Sequence, residues 1–240
     1  MIRRAALAVC LAALSLNAAA QSESYESGAD AFAAGDYDTA LEQWRPLAEE
    51  GNAAAQYNVG LMYANGFGVT RNAGTARDWY RKSAEQGYAR AQHNLGVLLQ
   101  NGELGEPDYT AAARWYREAA GQGEAASQNN LAMLYVQGLG VDEDRARAAR
   151  LAAEAARQDN ESARRNLPRL LEGLPAATIS GSNVNVRTGP GTSHDKLLQS
   201  DEGTPVRILA TEGEWKEIIF PDGYAIGWIA EFLLEIESEE

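Results

Sequence analysis

Ala55-Gln56-Tyr57-Asn58-Val59-Gly60-Leu61-Met62-Tyr63, then Asn65-Gly66-Phe67-Gly68-Val69, then Trp79-Tyr80-Arg81-Lys82-Ser83-Ala84-Glu85-Gln86-Gly87, forms a pattern that returns every 36 residues. Gln56, Gln92 and Gln128 hold one phase of it; Gly66, Gly102 and Gly138 hold another. Ala76, Ala112 and Ala148 follow, with Trp79, Trp115 and Leu151, and Tyr80, Tyr116 and Ala152. A fixed period of this length marks stacked supersecondary units, each burying its apolar face against its neighbours.

Each unit resolves into two helices by the 3.6-residue period. Ala55, Val59, Met62 and Tyr63 share a stripe in the first; Ala76, Trp79, Tyr80, Ser83 and Ala84 share one in the second. That phase predicts Trp79 and Trp115 as core residues. Glycines between the two helices supply the positive φ that ends one helix and turns the chain. Asp36, Asn72, Asp108 and Asp144, again 36 apart, fall where each second helix needs an N-cap. Gly51, Gly87 and Gly123 punctuate the far ends, with Asp159 as the fourth member. Gly60 and Gly96 sit inside first helices, where close approach of a neighbouring helix offsets their low propensity. Pro168 predicts a bent or short final helix.

These motifs resemble the Sel1-like repeat family, an elongated relative of the tetratricopeptide repeat. The resemblance covers about 53–88, 89–124 and 125–160, preceded by a shorter tetratricopeptide-like unit at about 25–51 and followed by a capping helix at 161–172. The expected fold for 21–175 is an α-helical solenoid. Two departures stand out: the second unit shifts its loop glycine to Gly105, and the third lacks the Trp-Tyr pair, which predicts looser packing towards its end. The resemblance implies an adaptor that holds other proteins. Asn58, Asn94, Asn130 and Asn166, one amide per unit, are the candidate ligand contacts, since asparagine can bond the backbone of an extended peptide. The alternative is that these amides bond neighbouring repeats.

After Gly173 the helical period gives way to short β-type runs: Val184 and Val186, Val206 to Leu209, Trp215 to Ile219, and Ala225 to Ile229. Turn signals separate them at Gly189-Pro190-Gly191, Glu202-Gly203, Glu212-Gly213 and Pro221-Asp222-Gly223. Asn185-Val186-Arg187-Thr188-Gly189-Pro190-Gly191, with Gly203-Thr204, Gly213-Glu214-Trp215 and Gly227-Trp228-Ile229, resembles a bacterial SH3 domain over 176–236, ahead of an acidic tail at 237–240. That resemblance implies a small barrel that binds a peptide or cell-wall peptidoglycan and supplies no catalysis by itself. Phe220, Tyr224 and Trp228 are the groove candidates, with a core role as the alternative in so small a barrel. The fold class is thus α + β multidomain, a helical solenoid followed by an SH3-like β-barrel.

The first twenty residues read as a secretory signal peptide: Arg3 and Arg4, an apolar run from Ala5 to Leu16, and Ala18-Ala19-Ala20 before Gln21. The lone cysteine, Cys10, lies within that leader, so no disulfide is expected in the mature chain. No later segment reads as a membrane span. Export to the periplasm, or secretion, is the expected destination. The net charge of −13 becomes more negative still without the leader arginines, which argues against nucleic acid as a partner. The arginine run Arg145, Arg147, Arg150, Arg157, Arg164, Arg165 and Arg169 is interleaved with acids and reads as a solvated, ion-paired face.

Nothing in the sequence assembles a catalytic centre. The two histidines, His93 and His194, lie in different domains, and there is no HExxH, GxSxG, P-loop or cysteine cluster. Asp142-Glu143-Asp144 fits a solvated loop. The expectation is a non-enzymatic adaptor with no cofactor and no metal, whose partners are envelope proteins and, through the barrel, peptidoglycan or a peptide. A barrel that binds protein only, without wall affinity, is the alternative; an envelope hydrolase of unrecognised type is a remote one.

Overall fold

In a computed structural model the chain is described over residues 20–222 and 224–237; residues 1–19 of the leader, Gly223 and residues 238–240 lie outside the described residues. Helix α1 runs through 20–33. It is followed by α2 (Tyr37–Glu49), α3 (Ala53–Asn65), α4 (Ala73–Glu85) and α5 (Ala89–Gln100), then α6 (Tyr109–Gly121), α7 (Ala125–Gln137), α8 (Arg145–Arg157) and α9 (Glu161–Leu171). Strands β1 (Ala176–Ile179), β2 (Val184–Arg187), β3 (Lys196–Ser200), β4 (Pro205–Glu212), β5 (Trp215–Ile219), β6 (Ile226–Ala230) and β7 (Leu234–Ile236) complete it. The architecture is that read from the period: an array of helical repeats followed by a small antiparallel β domain. No helix among the described residues is long and apolar enough to cross a membrane.

The caps stand where the spacing puts them. Asp36, Asn72, Asp108 and Asp144 each accept a hydrogen bond from the backbone N–H three residues on, at 3.2, 3.0, 2.9 and 2.8 Å. Each satisfies a donor that the helix itself leaves unpaired. Asp159 takes the glycine slot of its series with φ 63°.

The repeated glutamines are a buried structural ladder. Gln56, Gln92 and Gln128 are 4–5% exposed, and their side-chain amides donate to Ala48, Ala84 and Ala120, the carbonyls at the end of the preceding helix. Helix C-terminal carbonyls have no partner within the helix, so a buried donor at this phase closes each joint between repeats.

The core differs from the sequence expectation in one respect. Trp79 and Trp115 are only half-buried, with Lys82 and Arg114 over their rings. Tyr80 and Tyr116, one residue on, are the fully buried aromatics, at 1% and 0% exposure. The reason is visible at Gly60, where an added Cβ would lie 2.7 Å from the Tyr80 ring. The Tyr80 ring packs close against Gly60, and Trp79, one residue earlier, lies about 100° further round the helix.

The chain divides into two compact units, Met1–Pro107 and Asp108–Glu240. In the first, α2 and α3 pack through Trp44, Leu47, Val59 and Met62, with Phe32, Tyr37 and Phe67 alongside. Tyr37 and Phe67 stack at 4.9 Å between ring centroids. Gly68, at φ 63°, lies against the backbone of Tyr37.

The second unit holds α6 to α9 together with all seven strands, so it continues through the change from helix to strand near residue 176. In the third repeat Leu151 and Ala152 stand where the first two have the Trp-Tyr pair. Ala148, Ala149, Ala152, Ala153, Ala155 and Ala156 of α8 are all 0% exposed. Small side chains on two stripes let neighbours approach α8 from two sides. Helix α9 carries Pro168 and spans 11 residues, against 13 for α8, in keeping with the expected shortening.

The strands form one antiparallel sheet in the order β3-β2-β6-β5-β4-β1-β7. Val186, Val206, Ile208, Ile218 and Ile229 fill its interior. Glu217 of β5 pairs with Trp228 of β6, and Trp228 with Arg187 of β2, so these three stand on the outer face.

Candidate binding surfaces

The four repeat asparagines face other helices. Asn58 Nδ2 donates to the Tyr25 hydroxyl at 3.2 Å, and Asn94 Nδ2 to the Tyr80 hydroxyl at 3.2 Å. Asn130 is hydrogen-bonded to Tyr116, and its Oδ1 accepts from Asn129 at 3.4 Å. Asn166 Nδ2 donates to Asn129 Oδ1 at 3.0 Å. At Tyr80 and Tyr116 the amide meets the one polar atom of a buried ring. Burial pushes both hydroxyls above the ordinary tyrosine range, Tyr116 to about 12, with the asparagine bond opposing the shift.

Asn94 also lines an open cleft. With Tyr80, Leu61, Val97, Arg71 and Glu103 it borders a cavity of about 410 Å³ in the first unit. Arg71 and Glu103 form an ion pair at its edge. The cleft is lined by polar groups, among them the Asn65 and Asn94 amides, together with Leu61, Val97 and Leu98, a mixed surface of the kind that can hold an extended peptide.

The barrel candidates separate. Tyr224 is half-buried within the second unit: it packs against Ala155, Ala156 and Ala163 of α8 and α9, and its carbonyl accepts from Arg157 Nη1 at 2.8 Å. It adopts φ 56°, a left-handed conformation uncommon for a bulky residue and held here by contacts on both sides. Trp228 is half-buried beside Glu217 on the outer face. Phe220 packs partly against the barrel interior and partly lines a cleft of about 300 Å³ with Leu198, Pro205, Pro221 and Asp222. Phe220 and Tyr224 are thus on different surfaces, and Phe220 has the open one. The ring of His194 folds over Gly189 at the base of its loop, and its carbonyl accepts from Arg187.

The arginine run needs correcting at one position. Arg150 is not a solvated surface residue: its guanidinium forms a paired contact with Glu217 of β5, Nε to Oε2 at 2.9 Å, and reaches the carbonyl of Leu209. Glu217 is only 15% exposed in its side chain. With Arg157 on Tyr224, two arginines seven residues apart on α8 fasten the outer face of the barrel to the helix. Arg145 and Arg164 form local ion pairs with Glu143 and Asp159, and Arg165 and Arg169 are exposed, as expected of a solvated face. No group of three or more His, Cys, Asp or Glu side chains among the described residues is placed to hold a metal ion.

Comparison with known proteins accords with this geometry. A Sel1 repeat model matches residues 53–88, 89–124 and 125–160, and a bacterial SH3 domain model matches 182–234. No curated protein matches the chain. Among solved structures, a Sel1 repeat protein from Oxalobacter formigenes is 31% identical over 62% of this chain and 61% of its own, with a TM-score of 0.59. A protective antigen of uropathogenic Escherichia coli that displays an SLR fold is 40% identical over 52% of this chain, with a TM-score of 0.50. The chain spans about three fifths of the first of these proteins and 27% of the second. Sel1 repeat scaffolds are typically non-enzymatic, and such repeats together with a bacterial SH3 domain point to protein–protein interaction. The chain therefore carries three Sel1 repeats and, at its C-terminal end, a bacterial SH3 domain.

Proposed function

We propose that this is an exported, periplasmic adaptor without catalytic activity, whose repeats hold an envelope protein and whose barrel engages peptidoglycan or a peptide. The observation that carries the reading is that each unit has an open cleft lined by a candidate residue, Asn94 in the first and Phe220 in the second. The remaining amides and Tyr224 are engaged within the fold. The leader directs export, and the acidic surface disfavours anionic polymers of the nucleic-acid kind.

A second reading, a barrel that binds protein and has no wall affinity, draws support from Arg150 and Arg157, which make the barrel part of the body formed by the last repeat. Sedimentation of the mature chain with purified peptidoglycan separates the two. The first reading expects the chain in the pellet and its release by soluble muropeptides. A chain that stays in the supernatant, yet retains a partner from an envelope extract, would leave only the second.

A further inference from the structure

The sheet does not close through hydrogen bonds at β3. Among the described residues this strand stands at one end of the strand order and pairs with β2 alone, which leaves its other edge of backbone N–H and C=O groups without a strand partner there. The Phe220 cleft borders β3: Leu198, Gln199 and Ser200 line it together with Pro205, Phe220, Pro221 and Asp222. Pro205 and Pro221 have no N–H to donate, so these parts of the lining are poorly suited to pair with β3 and close the seam. An open edge above an apolar floor is a template for an added strand.

Charge narrows the occupant. Asp222 is exposed and engaged by no side chain among the described residues, and Asp201 and Glu202 are exposed in the turn that follows β3. Lys196, at the start of β3, is the basic residue of that strand. A cationic segment is attracted by this rim, and an anionic one is repelled.

We propose that the seam takes a short extended polypeptide segment bearing lysine or arginine, which adds to β3 as a further strand, with an apolar side chain over Phe220 and a cation at Asp222. This rests on the reading that the open cleft of the barrel is its ligand site, and it commits that site to protein rather than wall polymer.

The test follows backbone amides of the isotope-labelled mature chain by NMR. The probe is acetyl-Val-Lys-Val-Lys-Val-amide, beside its glutamate counterpart, the lysine peptide N-methylated at alternate amides, and a soluble muropeptide. The lysine peptide is expected to shift Leu197 to Ser200 and slow their hydrogen exchange, with affinity about two- to fivefold weaker in Asp222→Asn. The glutamate and N-methylated peptides should leave these amides unmoved. Equal binding by either, or shifts confined to other surfaces, overturns the proposal. If the muropeptide shifts the seam and the lysine peptide does not, strand addition is wrong while wall binding stands. If neither does, the cleft is not the ligand site and the proposal fails.

Discussion

Tyr116→Ala should lower the stability of the second unit by about 3–5 kcal/mol, as truncation of a large, fully buried aromatic does. The ring is 0% exposed, and its hydroxyl is hydrogen-bonded to Asn130 of the next helix. Tyr116→Phe keeps the ring and loses only that bond, for about 1 kcal/mol. Trp115→Ala, at a half-buried position with Arg114 over the ring, should cost less than Tyr116→Ala. Chemical denaturation of the three variants checks the order; a larger loss at Trp115 would reverse the core assignment. The same residue sets an alkaline limit. Its folded-state pKa is raised from 10.0 to about 12, so the stability it contributes is fully present below pH 10 and is lost as the pH rises through about 12. Tyr116→Phe removes this residue's share of the alkaline dependence.

Gly140→Ala should cost about 2–5 kcal/mol, from two sources that act together. The residue has φ 67°, which any side chain disfavours. An added Cβ would also lie 2.5 Å from the Thr110 backbone nitrogen and closer still to the Tyr109 carbonyl, and backbone cannot move aside as a side chain can. Gly123→Ala is the control. Its φ is 86° with nothing within 4 Å, so only the conformational part, about 1–2 kcal/mol, is expected there. Thermal melts of the two variants would contradict the packing argument if they coincided. The sequence carries a compensating change: Tyr37 and Tyr109 precede repeats with Gly68 and Gly140, whereas the corresponding pair in the middle is Ala73 and Leu104.

The caps, the glycine turns and the helix boundaries were legible because each depends on residues a few positions apart, and a period of 36 shows such local rules several times over. The glutamine ladder was visible as a repetition without its cause. Its partners are carbonyls at the end of the preceding helix, and a carbonyl is present at every position whatever the sequence. The choice of Tyr80 over Trp79 turned on Gly60, nineteen residues earlier in the chain than the tryptophan, because both aromatics lie within one broad apolar stripe.

The distant partners of Arg150 and of the exposed Arg157 were not legible, because the acids beside them in sequence suffice to pair them. Their partners, Glu217 and the carbonyl of Tyr224, lie 67 residues further on, in a segment whose strand pattern carries no record of the helix it meets. For the same reason Tyr224 read as a groove aromatic alongside Phe220 and Trp228. An aromatic that seats against alanines and one that lines an open cleft have the same local signature. The six buried alanines of α8 were the available clue, since a helix lined with small residues on two faces implies neighbours on both.

Native-state hydrogen exchange on the full mature chain tests most directly whether the barrel and the last repeat are one folded body. If Arg150, Arg157 and Tyr224 fasten them, the slowest amides of β5 (Trp215–Ile219) and of α8 (Arg145–Arg157) share one opening free energy, and Glu217→Gln lowers both together. Separate opening free energies, with α8 unchanged in Glu217→Gln, would show that the barrel is a tethered domain and contradict the account.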